Sequence, residues 1–169
     1  NDKVYATSGG LHGVGISVVN ALSETLTVEV IRDRKLFTQT YSRGKPKSKL
    51  TEATAPAKRS STKLTFRPDK EIFGDEARFN PAHLYRMARS KAYLFRGVEI
   101  RWSCDEILLS GKDTSPAKET LHFPGGLEDF LEATLDGRRT LTAKAFSGRA
   151  SNGDEASKVE WAICWPDDE

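Results

Sequence analysis

Ser8-Gly9-Gly10-Leu11-His12-Gly13-Val14-Gly15, running into Ile16-Ser17-Val18-Val19-Asn20-Ala21-Leu22, is the stretch from which the rest of the sequence can be read. Residues 9–15 hold four glycines. Glycine lets the backbone approach a ligand closely and reach φ > 0 without steric cost. Val14, Val18 and Leu22 follow at helical spacing, with Val19 and Ala21 beside them. A glycine-rich turn that opens a helix points unpaired N–H groups outward, and the helix dipole adds partial positive charge there. That arrangement suits an anion, most often a phosphate. The pattern is not a Walker A loop, because no Gly-Lys-Ser/Thr follows. The spacing Gly10-x-x-Gly13-x-Gly15 also reverses the dinucleotide fingerprint, and no hydrophobic strand precedes it. On glycine content alone, a tight turn ahead of a core helix fits equally well.

Length and composition set the outer bounds. The 169 residues suit one domain with a real core. Charged residues make up 30% and apolar ones 37%, an ordinary balance for a soluble protein. No apolar run is long enough to span a bilayer, and no signal peptide precedes the glycines, so a cytoplasmic protein with no membrane partner is expected. Cys104 and Cys164 stand far apart, outside any CxxC motif, and read as free thiols. With His12, His83 and His122 they form no metal-ligand spacing, so no metal site is expected in the chain. The net charge of +2 does not demand nucleic acid. Arg43, Lys45, Lys47, Lys49, Lys58, Arg59 and Lys63 do form a basic run, with Glu52 the single acid among them. A solvated loop is the stronger reading of that run, ahead of a phosphate-backbone contact.

Taken in order, the pattern predicts a helix over 14–24 and a half-buried strand over 25–32, in which Leu26, Val28 and Val30 alternate with polar residues. A turn at Asp33-Arg34-Lys35 leads to a returning arm over 36–41. Residues 43–61 read as a flexible loop with a short strand near Leu50. A strand over 62–67 stops at Pro68-Asp69. Asn80-Pro81 starts a second helix, which runs to about Phe95 and ends at Gly97; Leu84, Met87, Ala88, Lys91 and Ala92 form its apolar stripe. Strands over 98–104 and 120–123, a short helix over 127–135 and a last strand over 159–165 complete the chain. Hairpins with helices inserted between them indicate an α+β two-layer sandwich, a mostly antiparallel mixed sheet with helices on one face.

The string Tyr5-Ala6-Thr7-Ser8-Gly9-Gly10-Leu11-His12-Gly13-Val14-Gly15-Ile16-Ser17-Val18-Val19-Asn20-Ala21-Leu22-Ser23 resembles the ATP-lid and phosphate-binding segment of bacterial type IIA topoisomerase B subunits, members of the GHKL ATPase superfamily. The likeness continues along the chain. It takes in Arg67-Pro68-Asp69, Ile72-Phe73, the run Lys91 to Ile100, Gly125-Gly126-Leu127 and the run Val159 to Trp165. The Lys-Ala helix and the Val-Glu-Trp-Ala ending look more like the topoisomerase IV branch than gyrase. A sensor kinase or mismatch-repair ATPase of the same superfamily, and a binding module that merely shares the sheet, fit the lid string less well.

The resemblance implies a GHKL ATPase domain seen without its N-terminal part, residues 1–15 being the end of the lid and the phosphate loop. It implies ATP as ligand, with backbone amides of Gly10, Leu11, His12, Gly13, Val14 and Gly15 around the phosphates. Thr62 stands on the adenine side and Arg32 at the pocket mouth. Ser61 occupies the place of a family glycine, which puts the backbone geometry before Thr62 in question. The family's catalytic glutamate, its Mg²⁺-holding asparagine, its adenine-binding aspartate and its γ-phosphate lysine have no counterpart here. The implied catalytic and metal residues therefore lie outside the chain, and a fragment unable to hydrolyse ATP alone is expected. Glu24 does not substitute, since about ten helical residues place it roughly 15 Å from the phosphate end. The implied partners are DNA, the topoisomerase IV A subunit and a second B subunit that dimerises when ATP binds. Exposed apolar surface is expected where the family's earlier elements pack.

Overall fold

The structure, a computed structural model, describes residues 14–55, 59–109, 114–151 and 158–167. It divides into two units that part between Arg78 and Phe79.

In the first unit helix α1, Gly15–Ala21, leads directly into strand β1, Ser23–Arg32. Strand β2, Lys35–Ser42, pairs antiparallel with β1, so that Val30 faces Phe37 and Leu26 faces Tyr41. The two-residue connection has both Asp33 and Arg34 at positive φ, which matches the right-handed twist of the arms it joins. Two short strands, β3 (Lys45–Pro46) and β4 (Thr51–Thr54), share the outer edge of β2. Strand β5, Ser61–Pro68, pairs with the other side of β1, and Leu64 and Phe66 stand opposite Val28 and Leu26. The alternation of β1 thus puts Leu26, Val28, Val30, Phe37, Leu64 and Phe66 on one sheet face and Thr27, Glu29, Thr38, Lys63 and Thr65 on the other. Asp69 caps helix α2, Lys70–Phe73, by accepting the N–H of Glu71.

The second unit opens on helix α3, Pro81–Leu94. The Asn80 side chain accepts the N–H of His83 at 2.9 Å, and Pro81 fills the first helical position. Gly97 at φ +82° turns the chain into β6, Glu99–Ser103, which pairs with β7, Lys118–His122. Helix α4 spans Leu127–Leu135, and the hairpin of β8 (Phe146–Ser151) and β9 (Lys158–Ile163) follows. Ala92, Tyr93 and Leu121 form the buried centre of this unit. Tyr93 stacks on Phe123 at 3.7 Å and meets Phe130 edge-on at 5.3 Å.

The α+β character and the antiparallel pairing agree with the sequence expectation, and every ladder among the described residues is antiparallel. Two differences have clear causes. Ser23 and Glu24 belong to β1 rather than to the helix, because the Ser23 hydroxyl donates to the Val19 carbonyl at 2.6 Å and Ser23 pairs with Pro68. Strand β8 differs from the sequence expectation because Phe-Ser-Gly-Arg-Ala-Ser alternates only through Phe146, Gly148 and Ala150, two of them poor strand formers, and it becomes a strand through pairing with β9. Part of the stretch 43–61 is strand in the structure, as β3 and β4.

Candidate nucleotide site

Thr62 and Arg32 stand together. Thr62 pairs opposite Val30, and paired residues of an antiparallel ladder share a face, so the Thr62 hydroxyl, Val30 and Arg32 line one end of the apolar sheet face. Thr62 is exposed. Ser61 pairs with Ile31 as an ordinary strand residue and is not among the residues at positive φ, so serine in the place of glycine leaves the approach to Thr62 extended. Arg32 meets Asp33 at 3.6 Å with both side chains well exposed, a pair worth about 0–1 kcal/mol at most. Its guanidinium is thus available to a ligand at the sheet end.

Val14 and Gly15 precede the other end of β1, at the start of α1. The open space around Gly15 leaves nothing within 4 Å of where a Cβ would stand. Gly10, Leu11, His12 and Gly13 lie outside the described residues. Glu24 sits in β1 against Arg67, with 3.5 Å between Oε2 and Nε.

The polar cluster at the α1–β1 junction escaped the sequence reading. Asp69, only 2% exposed, accepts the Nε of Arg43 at 2.5 Å and its Nη2 at 3.1 Å. Arg43 also reaches Glu71 at 2.6 Å. The hydrogen bond from Arg43 holds the Asp69 carboxyl below the usual carboxylate value of 3.8; burial opposes this, and the Glu71 N–H adds to it. Asp69 in turn raises the Arg43 pKa by hydrogen bonding, with Glu71 second. The carboxylate's contribution to stability is therefore complete at neutral pH, and it fades only as the pH falls through a folded-state value below 3.8. The available signal was Asp69 ahead of Lys-Glu-Ile-Phe, a helix cap; the partner 26 residues away carried none.

In the second unit a half-open groove of about 510 Å³ runs between α4 and the hairpin, lined by Glu128, Leu131, Glu132, Lys144, Ser147 and Cys164 among others. None of the site residues read from the sequence lines it. Among the described residues no three His, Cys, Asp or Glu side chains gather as a metal site. No described helix is long and apolar enough to cross a membrane.

No protein-family model matches the chain. Individual proteins do. The B subunit of DNA topoisomerase 4 from Caulobacter vibrioides is 53% identical over 163 residues, covering 96% of this chain and 23% of that protein. Among solved structures, the 43K ATPase domain of Thermus thermophilus gyrase B, in complex with an aminocoumarin, superposes with a TM-score of 0.70 at 35% identity. That match covers 84% of this chain and 37% of the other. The topoisomerase IV ATP-binding domain of Francisella tularensis, in complex with a small-molecule inhibitor, gives 0.65 at 32% identity over 88% of this chain and 38% of its own. The chain spans about a quarter of the length of the curated relatives it matches. Over the residues aligned, the chain is a relative of the DNA topoisomerase 4 B subunits at 44–53% identity.

Proposed function

We propose that this chain forms part of the ATP-binding module in the B subunit of a type II DNA topoisomerase, which couples ATP binding and hydrolysis to passage of one duplex through another, with decatenation and relaxation as the outcome. The observation that carries the reading is the likeness at 35% and 32% identity to domains described as an ATPase domain and an ATP-binding domain. The residues fit the group. Thr62 offers an exposed hydroxyl beside the apolar surface of Val30, which suits the edge and face of adenine, and Arg32 closes that end. Main-chain amides of Gly10, Leu11, His12, Gly13, Val14 and Gly15 supply the phosphate contacts in this proposal, the last of them at the start of α1. ATP, when bound, supplies the phosphoryl group whose transfer to water drives the cycle. The chain's own residues bind and orient it, and the hydrolytic base is assigned elsewhere in the parent protein. Mg²⁺ enters only as companion of the phosphates.

The partners belong to the same proposal: DNA, the A subunit of topoisomerase IV, and a second B subunit joined when ATP binds, in the cytoplasm. The gyrase B subunit is the second reading, favoured by the gyrase domain's TM-score of 0.70. Supercoiling by the assembled enzyme would select it, and decatenation without supercoiling selects topoisomerase IV.

Calorimetric titration with a non-hydrolysable ATP analogue tests the site, comparing the native full-length protein with Gly13→Val. A Cβ and two methyls at position 13 block the close approach of backbone to phosphate, so binding is lost. Equal affinity in the two proteins would remove the phosphate role.

A further inference from the structure

Helix α1 has seven residues and no buried side chain. Val14, Ile16, Val18, Val19 and Leu22 are all exposed. A helix this short does not sustain itself, and no fully buried apolar side chain anchors it, Val19 and Leu22 being only partly covered. What holds it is polar and lies at its C-terminal end. The Leu22 carbonyl accepts the N–H of Asp69 at 3.0 Å, and the Asn20 carbonyl accepts the N–H of Gly44 at 3.0 Å. The Val19 carbonyl accepts the Ser23 hydroxyl, and the Ser23 carbonyl accepts the N–H of Arg43 at 2.8 Å. Apart from the Ser23 hydroxyl, these donors come from two segments, the Arg43-Gly44 turn after β2 and the exit of β5. The side-chain pair of Arg43 and Asp69 ties those segments to each other.

The turn is demanding. Arg43 sits at φ +50° and Gly44 at φ +79°. A Cβ at Gly44 would meet the Cα of Ala21 at 3.6 Å, so the turn runs directly beneath the helix end. Holding a non-glycine residue in the left-handed region requires surroundings that over-determine it. Here the two hydrogen bonds to Asp69 and the contact with Glu71 do so.

We propose that Arg43 and Asp69 are positioning residues, whose ion pair fixes the direction in which α1 leaves the sheet and thereby where Val14 and Gly15, at the start of that helix, stand relative to the strands that carry Thr62 and Arg32. This rests on the nucleotide reading. Neither residue touches the ligand. Their effect on affinity passes through the backbone bonds at the helix end, so it follows the order of α1 rather than the stability of the sheet.

The test pairs two readouts on Arg43→Met, Asp69→Asn and Arg43→Lys in the full-length protein. The first is amide hydrogen exchange without ligand. In the Met and Asn variants the hydrogen-bonded amides of 18–22 exchange at least about tenfold faster, while those of the β1–β2 ladder at 28–30 keep their native rates. The second is affinity for the non-hydrolysable ATP analogue, which falls by about tenfold in the same two variants. Arg43→Lys, which keeps the charge and one donor, recovers part of both. Equal slowing or speeding of helix and ladder in every variant would make the pair a general stabiliser and overturn the proposal, as would native exchange in the helix. Native affinity in a variant whose helix exchanges faster would overturn it as well. A native protein that binds no nucleotide overturns the nucleotide reading and the positioning role together, and the ligand-free exchange data identify that case.

Discussion

Gly148 lies opposite Trp161 in the β8–β9 ladder. A Cβ at that glycine would collide with Cζ2 of the indole and stand 2.7 Å from its Cε2. The obstacle is a rigid ring rather than the end of a flexible chain, so Gly148→Ala forces the indole out of its rotamer or the strands apart. The expected cost is about 1–3 kcal/mol, read as a lower urea midpoint with an unchanged slope. An unchanged midpoint would mean that the ring moves freely. The need for glycine at this position could not be read from the chain, because the ring that creates it belongs to another strand. Thr62 is the opposite case: its place next to Val30 follows from the alternation of two strands, once their register is known. Arg43 shows how a local reading misleads. Counted as one charge in a basic run, it proves to be the partner of a buried carboxylate.

Helix α3 was legible because its signals are local. Asn80 and Pro81 are neighbours, and the cap they form needs nothing from elsewhere in the fold. Asn80→Ala removes the acceptor of the His83 N–H and is expected to cost about 1 kcal/mol, while Asn80→Asp, which keeps the acceptor, stays near the native value. Thermal unfolding followed by circular dichroism in the far ultraviolet reads both; equal melting of all three proteins would show the cap to be idle. The elements with the faintest sequence signal are those whose stability is borrowed; of β3 and β4, only a short strand near Leu50 was expected, and β4 begins one residue beyond it. Strand β4 is Thr-Glu-Ala-Thr and β3 is Lys-Pro, both on the edge of β2 with exposed side chains throughout. Neither carries a periodic apolar signal, and pairing alone makes them strands. Helix α1 fell short of its expected end for a related reason: the ladder from Ser23 onward competed with the helix and prevailed.

At the scale of the molecule, the two units bury little. Among the described residues, Leu26 is the buried apolar residue of the first unit, and Pro81, Ala92, Tyr93 and Leu121 are those of the second. The alternation of β1 and β5 called for a half-buried face, yet Leu64 and Phe66 remain more than two-fifths exposed on it. Fully burying one such side chain is worth about 1.5–3 kcal/mol, so the apolar area that Leu64 and Phe66 still expose favours association. That same face carries Thr62 and Arg32 at its end, which places the candidate nucleotide site at the rim of an apolar surface. The 169-residue chain is therefore expected to bind an environment-sensitive dye in its folded state and to associate as its concentration rises. Leu64→Thr with Phe66→Thr keeps strand propensity while removing the apolar atoms. The double variant should lose much of the dye signal and shift sedimentation towards the monomer, with its far-ultraviolet spectrum intact. A native chain that sediments as a monomer at every concentration and leaves the dye dark would mean that the face is covered by its own residues, and with that the apolar rim proposed for adenine would be lost.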